Sequence, residues 1–178
     1  MSEMIGRMLM VAKLDSSSTE VQMTRVDLGQ LASRVVRGAE FELRERDNAV
    51  RFTMREECFV HGNAELLQSA IENVIRNAVR YTSSDASVDV QLQHIENDGG
   101  SFILLSVRDY GTGVPEAELS NIFRPFYRVA NDRDRQSGGA GLGLAIADRV
   151  IRVHGGTILA QNASPHGLRV DILLPATK

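Results

Sequence analysis

The stretch Ala64–Tyr81, A-E-L-L-Q-S-A-I-E-N-V-I-R-N-A-V-R-Y, constrains the fold more than any other part of the chain. Leu67, Ala70, Ile71, Val74 and Ala78 recur at helical spacing and make one apolar stripe, so this helix must lie on a core. At about 100° per residue, Asn73, Asn77 and Arg80 gather within roughly 60° on a face turned away from that stripe. Asparagine is a poor residue for a helix interior, because its amide competes for backbone hydrogen bonds. Two asparagines one turn apart therefore call for a reason: a solvated face, or a ligand lying beside the helix.

Around this helix the periodicity switches between 3.6 and 2. A long helix is predicted from an N-cap at Asp27 to about Arg46. Alternation at Val50, Phe52 and Met54 predicts a strand, and Phe59–His61 a second, short one. Strands follow at about 86–96 and 101–109, joined by the turn N-D-G-G at Asn97–Gly100. A short helix is expected after Pro115, and a helix from about Leu142 to Val153 that stops at Gly155 and Gly156. Residues 128–141 are polar and glycine-rich and read as a mobile loop; strands at about 157–162 and 168–174 close the fold. The mixture predicts an α+β fold, a two-layer α/β sandwich whose mixed, mostly antiparallel sheet is covered by helices on one face. In residues 4–14, Met4, Met8 and Val11, with Ile5 and Leu9, share a helical face before the S-S-S-T at Ser16–Thr19. That piece reads either as a first helix of the core or, the preferred reading, as the end of a helix whose partner lies outside the chain.

Composition removes several function classes. A net charge of −3 offers no field for a nucleic acid backbone. Wholly apolar runs such as Phe102–Leu105 are far too short to span a bilayer, and no charged-then-apolar leader opens the sequence. Cys58 is the one cysteine and the four histidines make no metal-ligand spacing with it, which fits a reducing cytoplasmic setting. Of the twenty basic residues only Lys13 and Lys178 are lysines, and neither falls in a motif. A P-loop and a eukaryotic-type protein kinase each need a lysine on the phosphates, so both are excluded. The dinucleotide fingerprint G-x-G-x-x-G is absent around Gly111 and Gly139.

Two further clusters give the asparagine helix its meaning. In F-I-L-L-S-V-R-D, Asp109 continues the row Ile103, Leu105, Val107, so its carboxylate is half buried and needs a fixed partner. That partner is either its own D-Y-G-T-G loop or the exocyclic amine of an adenine, which Gly111 and Gly113 would let approach the backbone. Gly138, Gly139, Gly141 and Gly143 precede a helix whose free N–H groups and dipole suit a phosphate. Arg128, Arg133 and Arg135 are either solvated loop charges or contacts to a terminal phosphate. A neutral amide oxygen suits Mg²⁺, which prefers oxygen ligands and keeps substrate phosphates in its shell. Together the clusters serve every part of a metal nucleotide and imply ATP with Mg²⁺.

In order and spacing these segments resemble a known family. E-N-V-I-R-N-A-V-R-Y-T is similar to the N box of sensor histidine kinases, D-Y-G-T-G-V to the G1 box, I-F-R-P-F-Y-R to the F box and G-G-A-G-L-G-L-A-I to the G2 box. V-H-G-G at Val153–Gly156 matches the segment after the last helix, and the likeness extends over about 55–175. The family is the ATP-binding catalytic domain shared with gyrase, Hsp90 and MutL, a Bergerat-type fold; the wording of the boxes resembles envelope-stress sensors of the Cpx type most. The resemblance implies Asn77 as magnesium ligand, with Asn73 beside it at metal and phosphates. It implies Arg80 at phosphate, Tyr81 at the sugar–base side and Asp109 at the adenine amine. Gly111, Gly113, Gly139, Gly141, Leu142 and Gly143 would shape pocket and lid, with Arg128, Arg133 and Arg135 as lid arginines. Phe123 and Phe126 would anchor the lid, with apolar core an equal reading for Phe123.

One departure matters. Such kinases carry a phosphoacceptor histidine in a motif similar to H-E-L-R-T-P, and His61, His94, His154 and His166 all lack that context. The expectation is a two-part chain: residues 1–18 as the tail of the dimerisation and acceptor hairpin, and 19–178 as the catalytic domain. Its implied partners are the histidine-bearing hairpin and a response regulator receiver domain. The parent would be a homodimer anchored in a bacterial inner membrane, with this domain in the cytoplasm. A hydrolysing ATPase of the same superfamily is disfavoured, because the water-activating Glu four residues before the metal asparagine is Asn73 here and Glu72 lies about 100° round the helix. A soluble serine kinase fits the size but not the F box or residues 4–14. A non-catalytic nucleotide scaffold is disfavoured because all the motif residues are intact.

Overall fold

Side-chain alternation along the strands decides which way the sheet faces. The computed structural model describes residues 21–42, 50–83, 85–97, 99–129 and 140–177. Strands β2 (Val50–Met54), β4 (Val88–Asn97), β5 (Gly100–Arg108), β6 (Thr157–Asn162) and β7 (Leu168–Pro175) form one sheet in the order β2-β4-β5-β7-β6. Among the described residues only β2 and β4 pair in parallel; the other pairs of this sheet are antiparallel. The register aligns apolar rows across neighbouring strands, Val90–Val107–Val170 and Leu92–Leu105–Ile172, all buried. The residues between them, such as Asp89, Arg108 and Arg169, point to the opposite, open face.

Helices α1 (Leu28–Glu42), α2 (Ala64–Tyr81) and α3 (Gly143–Val153) bury one stripe each against the apolar face. On α2 the stripe is Leu67, Ala70, Ile71, Val74, Ile75 and Ala78, which adds Ile75 to the expected set. On α3 it is Leu144, Ala145, Ile146, Ala147, Val150 and Ile151. Asp27 caps α1, its Oδ1 accepting from the Gln30 N–H at 3.0 Å, and Asn63 caps α2 by accepting from Leu66 N–H at 3.0 Å. The architecture is the expected two-layer sandwich.

The differences from expectation are local. Thr24–Asp27 forms a strand, β1, paired antiparallel with β3 (Phe59–Gly62) in a separate two-stranded sheet. T-R-V-D carries one buried apolar side chain, Val26, too little alternation to announce a strand. Its partner supplies the reason, with the Arg25 guanidinium 3.5 Å from the centre of the Phe59 ring. After Pro115 the expected short helix is two single turns of 3₁₀ helix, Glu116–Glu118 and Asn121–Phe123. The expected helix over 4–14, the last turn of α1 beyond residue 42 and the centre of the 128–141 loop lie outside the described residues.

A long-range clamp holds the N-terminal end of α2. His154, at the end of α3, is 7% exposed; its Nε2 accepts from Asn63 N–H at 3.0 Å, while its Nδ1 lies 2.7 Å from the Val150 carbonyl. Since Nε2 is an acceptor, Nδ1 carries the proton and donates. Burial pushes the imidazole below its ordinary value, against the upward pull of the Val150 hydrogen bond.

Candidate functional site

Three segments converge beside the polar face of α2. The first is the helix itself, with Asn73, Asn77 and Arg80 half-buried. Asn73 Nδ2–H donates to the Ser69 carbonyl at 2.9 Å, which uses one of its two N–H groups and leaves Oδ1 toward the start of α3. A Cβ built on Gly143 would stand 3.1 Å from that oxygen, so the first residue of α3 abuts Asn73 and glycine keeps the gap open. Asn77 makes no side-chain hydrogen bond to a described residue. Its amide, one turn beyond Asn73, is available to a ligand. Arg80 sits in the last turn with its guanidinium 5.5 Å from the centre of the partly exposed Tyr81 ring.

The second segment is the loop after β5. Asp109 is 3% exposed, and its Oδ1 accepts two backbone N–H groups, from Gly111 at 2.9 Å and Leu168 at 3.0 Å. Asp109 N–H in turn donates to Leu168 O at 2.9 Å. Oδ2 receives no hydrogen bond from the described residues. Burial pushes this carboxyl above the usual carboxylate range, opposed by the two backbone bonds and the charge of Arg108. The loop is sewn to the end of α2: Tyr110 N–H donates to Thr82 Oγ1 at 3.2 Å, and Ser83 Oγ–H donates to Tyr110 O at 2.8 Å. A Cβ on Gly111 would run into the Tyr81 carbonyl oxygen. Gly113 takes φ +73°, and Asn162 from β6 holds the next residue at both ends, accepting from Val114 N–H at 2.9 Å and donating to Val114 O at 2.7 Å.

The third segment leads into α3. Gly141 adopts φ +69° and its carbonyl accepts from Phe126 N–H at 2.9 Å, which pins residues 124–127 to the helix start. Leu142 is buried in the core and caps α3 through its backbone. Phe123 packs against the core, while Phe126 is 56% exposed at φ +64°. Arg128 lies exposed on the flank of this segment. Arg133, Arg135 and Gly139 lie outside the described residues.

The geometry therefore brings Asn73 and Gly143 into contact and ties Asp109, Gly111 and Gly113 to the C-terminal end of the same helix. Thr82, Ser83, Asn162 and the Leu168 backbone complete the loop, and none of them was singled out from sequence. Their partners lie 27 to 59 residues away, so no local pattern exposes them. Among the described residues no group of three or more His, Cys, Asp or Glu could hold a metal ion. Beside the polar face of α2 the described oxygen donors are the amide groups of Asn73 and Asn77.

Against known proteins, residues 62–178 match the model of the histidine kinase-, DNA gyrase B- and HSP90-like ATPase domain. The chain is 35% identical over its whole length to the sensor histidine kinase CpxA of Escherichia coli K12, and spans 38% of that protein. It is 29% identical to the sensor protein kinase WalK of Staphylococcus saprophyticus over 98% of its length, or 28% of that protein. Among solved structures it resembles the mycobacterial sensor histidine kinase MprB, with 29% identity and a TM-score of 0.73 over 87% of this chain and 98% of that one. It also resembles full-length ShkA in complex with AMPPNP, at 25% identity and a TM-score of 0.83 over 99% of this chain and 36% of that one.

Proposed function

This chain belongs to the histidine kinase-, DNA gyrase B- and HSP90-like ATPase family, and on that premise we propose that it is the catalytic domain of a two-component sensor histidine kinase. It binds ATP and donates the γ-phosphoryl group to a histidine on a dimerisation hairpin of the same protein, for onward transfer to an aspartate of a response regulator. The observation that carries the reading is the half-used Asp109 carboxylate. One oxygen closes its own loop and the other is left, in a nearly buried site, for the exocyclic amine of adenine. CpxA and WalK are sensor kinases of which the chain spans 38% and 28%, which supports a donor domain within a longer protein.

The chain's own groups divide the work. Asp109 and the Gly111–Gly113 backbone orient the base. Asn73, fixed by Ser69 and seated against Gly143, places the phosphates at the N-terminal end of α3, where free N–H groups and the helix dipole favour negative charge. Arg80 stabilises charge on the transferring group. The magnesium donor set fits: Asn77 offers an amide oxygen with no described protein partner, beside the outward oxygen of Asn73. Mg²⁺ held there would neutralise phosphate charge when bound. Hydrolysis is disfavoured on geometry as well as identity, since Glu72 is partly exposed and engaged with Arg76 at 3.0 Å.

Among the described residues no helix is long and apolar enough to cross a membrane. We assign membrane anchoring, homodimer formation and the receiver-domain contact to parts of the parent protein outside the catalytic domain. The test is labelled ATP added to this chain with and without a separately made acceptor hairpin. The proposal expects no label on the chain alone and acid-labile, alkali-stable label on the hairpin. Label on the chain alone, or acid-stable label on the added partner, would contradict it. Transfer in trans should be slow, because a tether normally supplies the effective concentration.

A further inference from the structure

The open face of the sheet carries a polar cavity that the nucleotide reading leaves unused. It measures about 310 Å³ and lies behind the 109–114 loop, on the far side of the sheet from α2. The strand register makes its floor: Asp89, Arg108, Arg169 and Gln161 stand directly opposite one another across β4, β5, β7 and β6. Two arginines opposite each other on neighbouring strands repel, which a sheet tolerates only if something neutralises them.

Arg169 is neutralised inside the protein, its Nε donating to Asp171 Oδ2 at 3.1 Å. Asp171 is then fully used, because Ser106 Oγ–H donates to its other oxygen at 2.6 Å. Arg108 makes no such ion pair among the described residues, although Asp89 stands opposite it on β4. It donates to the Ser164 carbonyl at 2.7 Å and lies 4.5 Å from the centre of the Tyr110 ring, yet it has no carboxylate partner among the described residues. Its Nε is buried with no hydrogen-bond acceptor. The one carboxylate lining the cavity, Asp89, accepts from Tyr110 O–H at 2.6 Å through one oxygen. The cavity thus presents a guanidinium with an unmet N–H, neutral donors from Gln91 and Gln161, and one carboxylate acceptor.

We propose that this cavity binds a small phosphomonoester, its oxyanion at Arg108 and a hydroxyl of its organic part at Asp89. A tetrahedral anion with three acceptor oxygens answers donors arriving from several strands better than a flat carboxylate does. The volume is at the lower end of what small-molecule sites enclose. The site also touches both braces of the nucleotide loop, since Tyr110 hangs from Asp89 and Arg108, and the cavity-lining Asn162 grips Val114. Filling it stiffens that loop in its described form, so nucleotide affinity rises, and by linkage nucleotide strengthens phosphomonoester binding to the same degree. The coupling rests on the nucleotide reading; the binding does not.

The experiment is an amide chemical-shift titration of the folded chain with glycerol 3-phosphate, and with inorganic phosphate, acetate and glycerol as comparison arms. Shifts are expected at 89–91, 106–108 and 161–169 with both phosphates and not with glycerol or acetate. Arg108→Gln should abolish them. Gln91→Glu, which removes no hydrogen bond and adds a negative charge to the cavity wall, should weaken them ~10-fold or more. Shifts confined to α2 and the start of α3, or unchanged in both variants, would overturn the site. Equal response to acetate would overturn the phosphate assignment. Calorimetry with ADP then reads the coupling: saturating glycerol 3-phosphate should tighten ADP about 5-fold, and an unchanged affinity would overturn the link. If ADP shifts nothing at Asn73, Asn77 and Gly143, it is the nucleotide reading that has failed, and the first titration still decides the cavity.

Discussion

The two ends of α2 each meet a buried polar side chain, and the two are used in opposite ways. At the N-terminal end, His154 spends both ring nitrogens on the protein, one on Asn63 and one on Val150. At the C-terminal end, Asp109 spends one oxygen twice, on Gly111 and Leu168, and leaves the other unspent. Burial also moves the two in opposite directions, lowering the histidine and raising the aspartate, because in each case it penalises the charged form. A buried polar group whose capacity is fully met belongs to the scaffold. One whose capacity is half met, beside glycines that leave room next to it, marks a place for a ligand. Proximity to a glycine-rich turn does not separate them, since both sit beside one.

That contrast can be broken most forcefully at its structural end. His154→Ala should lower stability by roughly 2–4 kcal/mol, from the lost ring volume and the stranded Asn63 N–H. ATP affinity of the remaining folded molecules should be unchanged. Chemical denaturation followed by calorimetry under native conditions checks both halves; a loss of affinity without a loss of stability would reverse the roles. Next in size, Asn77→Ala should remove most of the gain in ATP affinity on adding Mg²⁺, roughly tenfold or about 1.4 kcal/mol. Metal-free ADP binding should change little. An unaltered Mg²⁺ dependence would defeat the metal assignment.

The pH dependence follows with a smaller effect and a definite sign. His154 has a folded value below its ordinary 6.5, so the unfolded state binds more protons in the window between the two. Its contribution is fully present above about 6.5 and is lost as pH falls through the depressed value. Asp109, raised above 3.8, acts the other way: its burial cost is present at neutral pH and relieved as pH falls through the raised value. Unfolding midpoints of wild type and His154→Ala against pH should therefore converge as the medium acidifies below 6.5. Parallel curves would mean that the imidazole is not held neutral. Smallest of all, Gly143→Ala puts a methyl 3.1 Å from Asn73 Oδ1, which must yield by a few tenths of an ångström. ATP affinity should fall about threefold while stability holds or rises slightly, since alanine favours a helix over glycine. A change in stability alone would show that the Asn73–Gly143 contact plays no part in binding.

Much of the fold was legible because its signals are local. The stripe of α2, the alternation of β4 and β5 and the Asn97–Gly100 turn each lie within one element. The polar triad on α2 and the inward side of Asp109 were legible for the same reason, although the carboxylate is 3% exposed rather than half buried. The clamp at Val114 was not, because Asn162 is 48 residues away and is the last, polar residue of β6. Neither was the His154–Asn63 bond, which spans 91 residues, nor β1, which exists because β3 is there to pair with it. Sequence left Asp109 between a loop cap and an adenine contact. Its geometry shows that these are not alternatives, since one oxygen performs the first task and leaves the second oxygen for the other.

Asp109→Asn isolates that division of labour. The amide oxygen can still accept from Gly111 and Leu168, so the loop and the fold should survive, while the second position becomes a donor facing the donor amine of adenine. ATP affinity by calorimetry, measured beside thermal unfolding of the same variant, should fall ~10- to 100-fold with a midpoint near that of the wild type. Near-wild-type affinity in a folded variant would contradict the account and reduce Asp109 to a residue of its own turn.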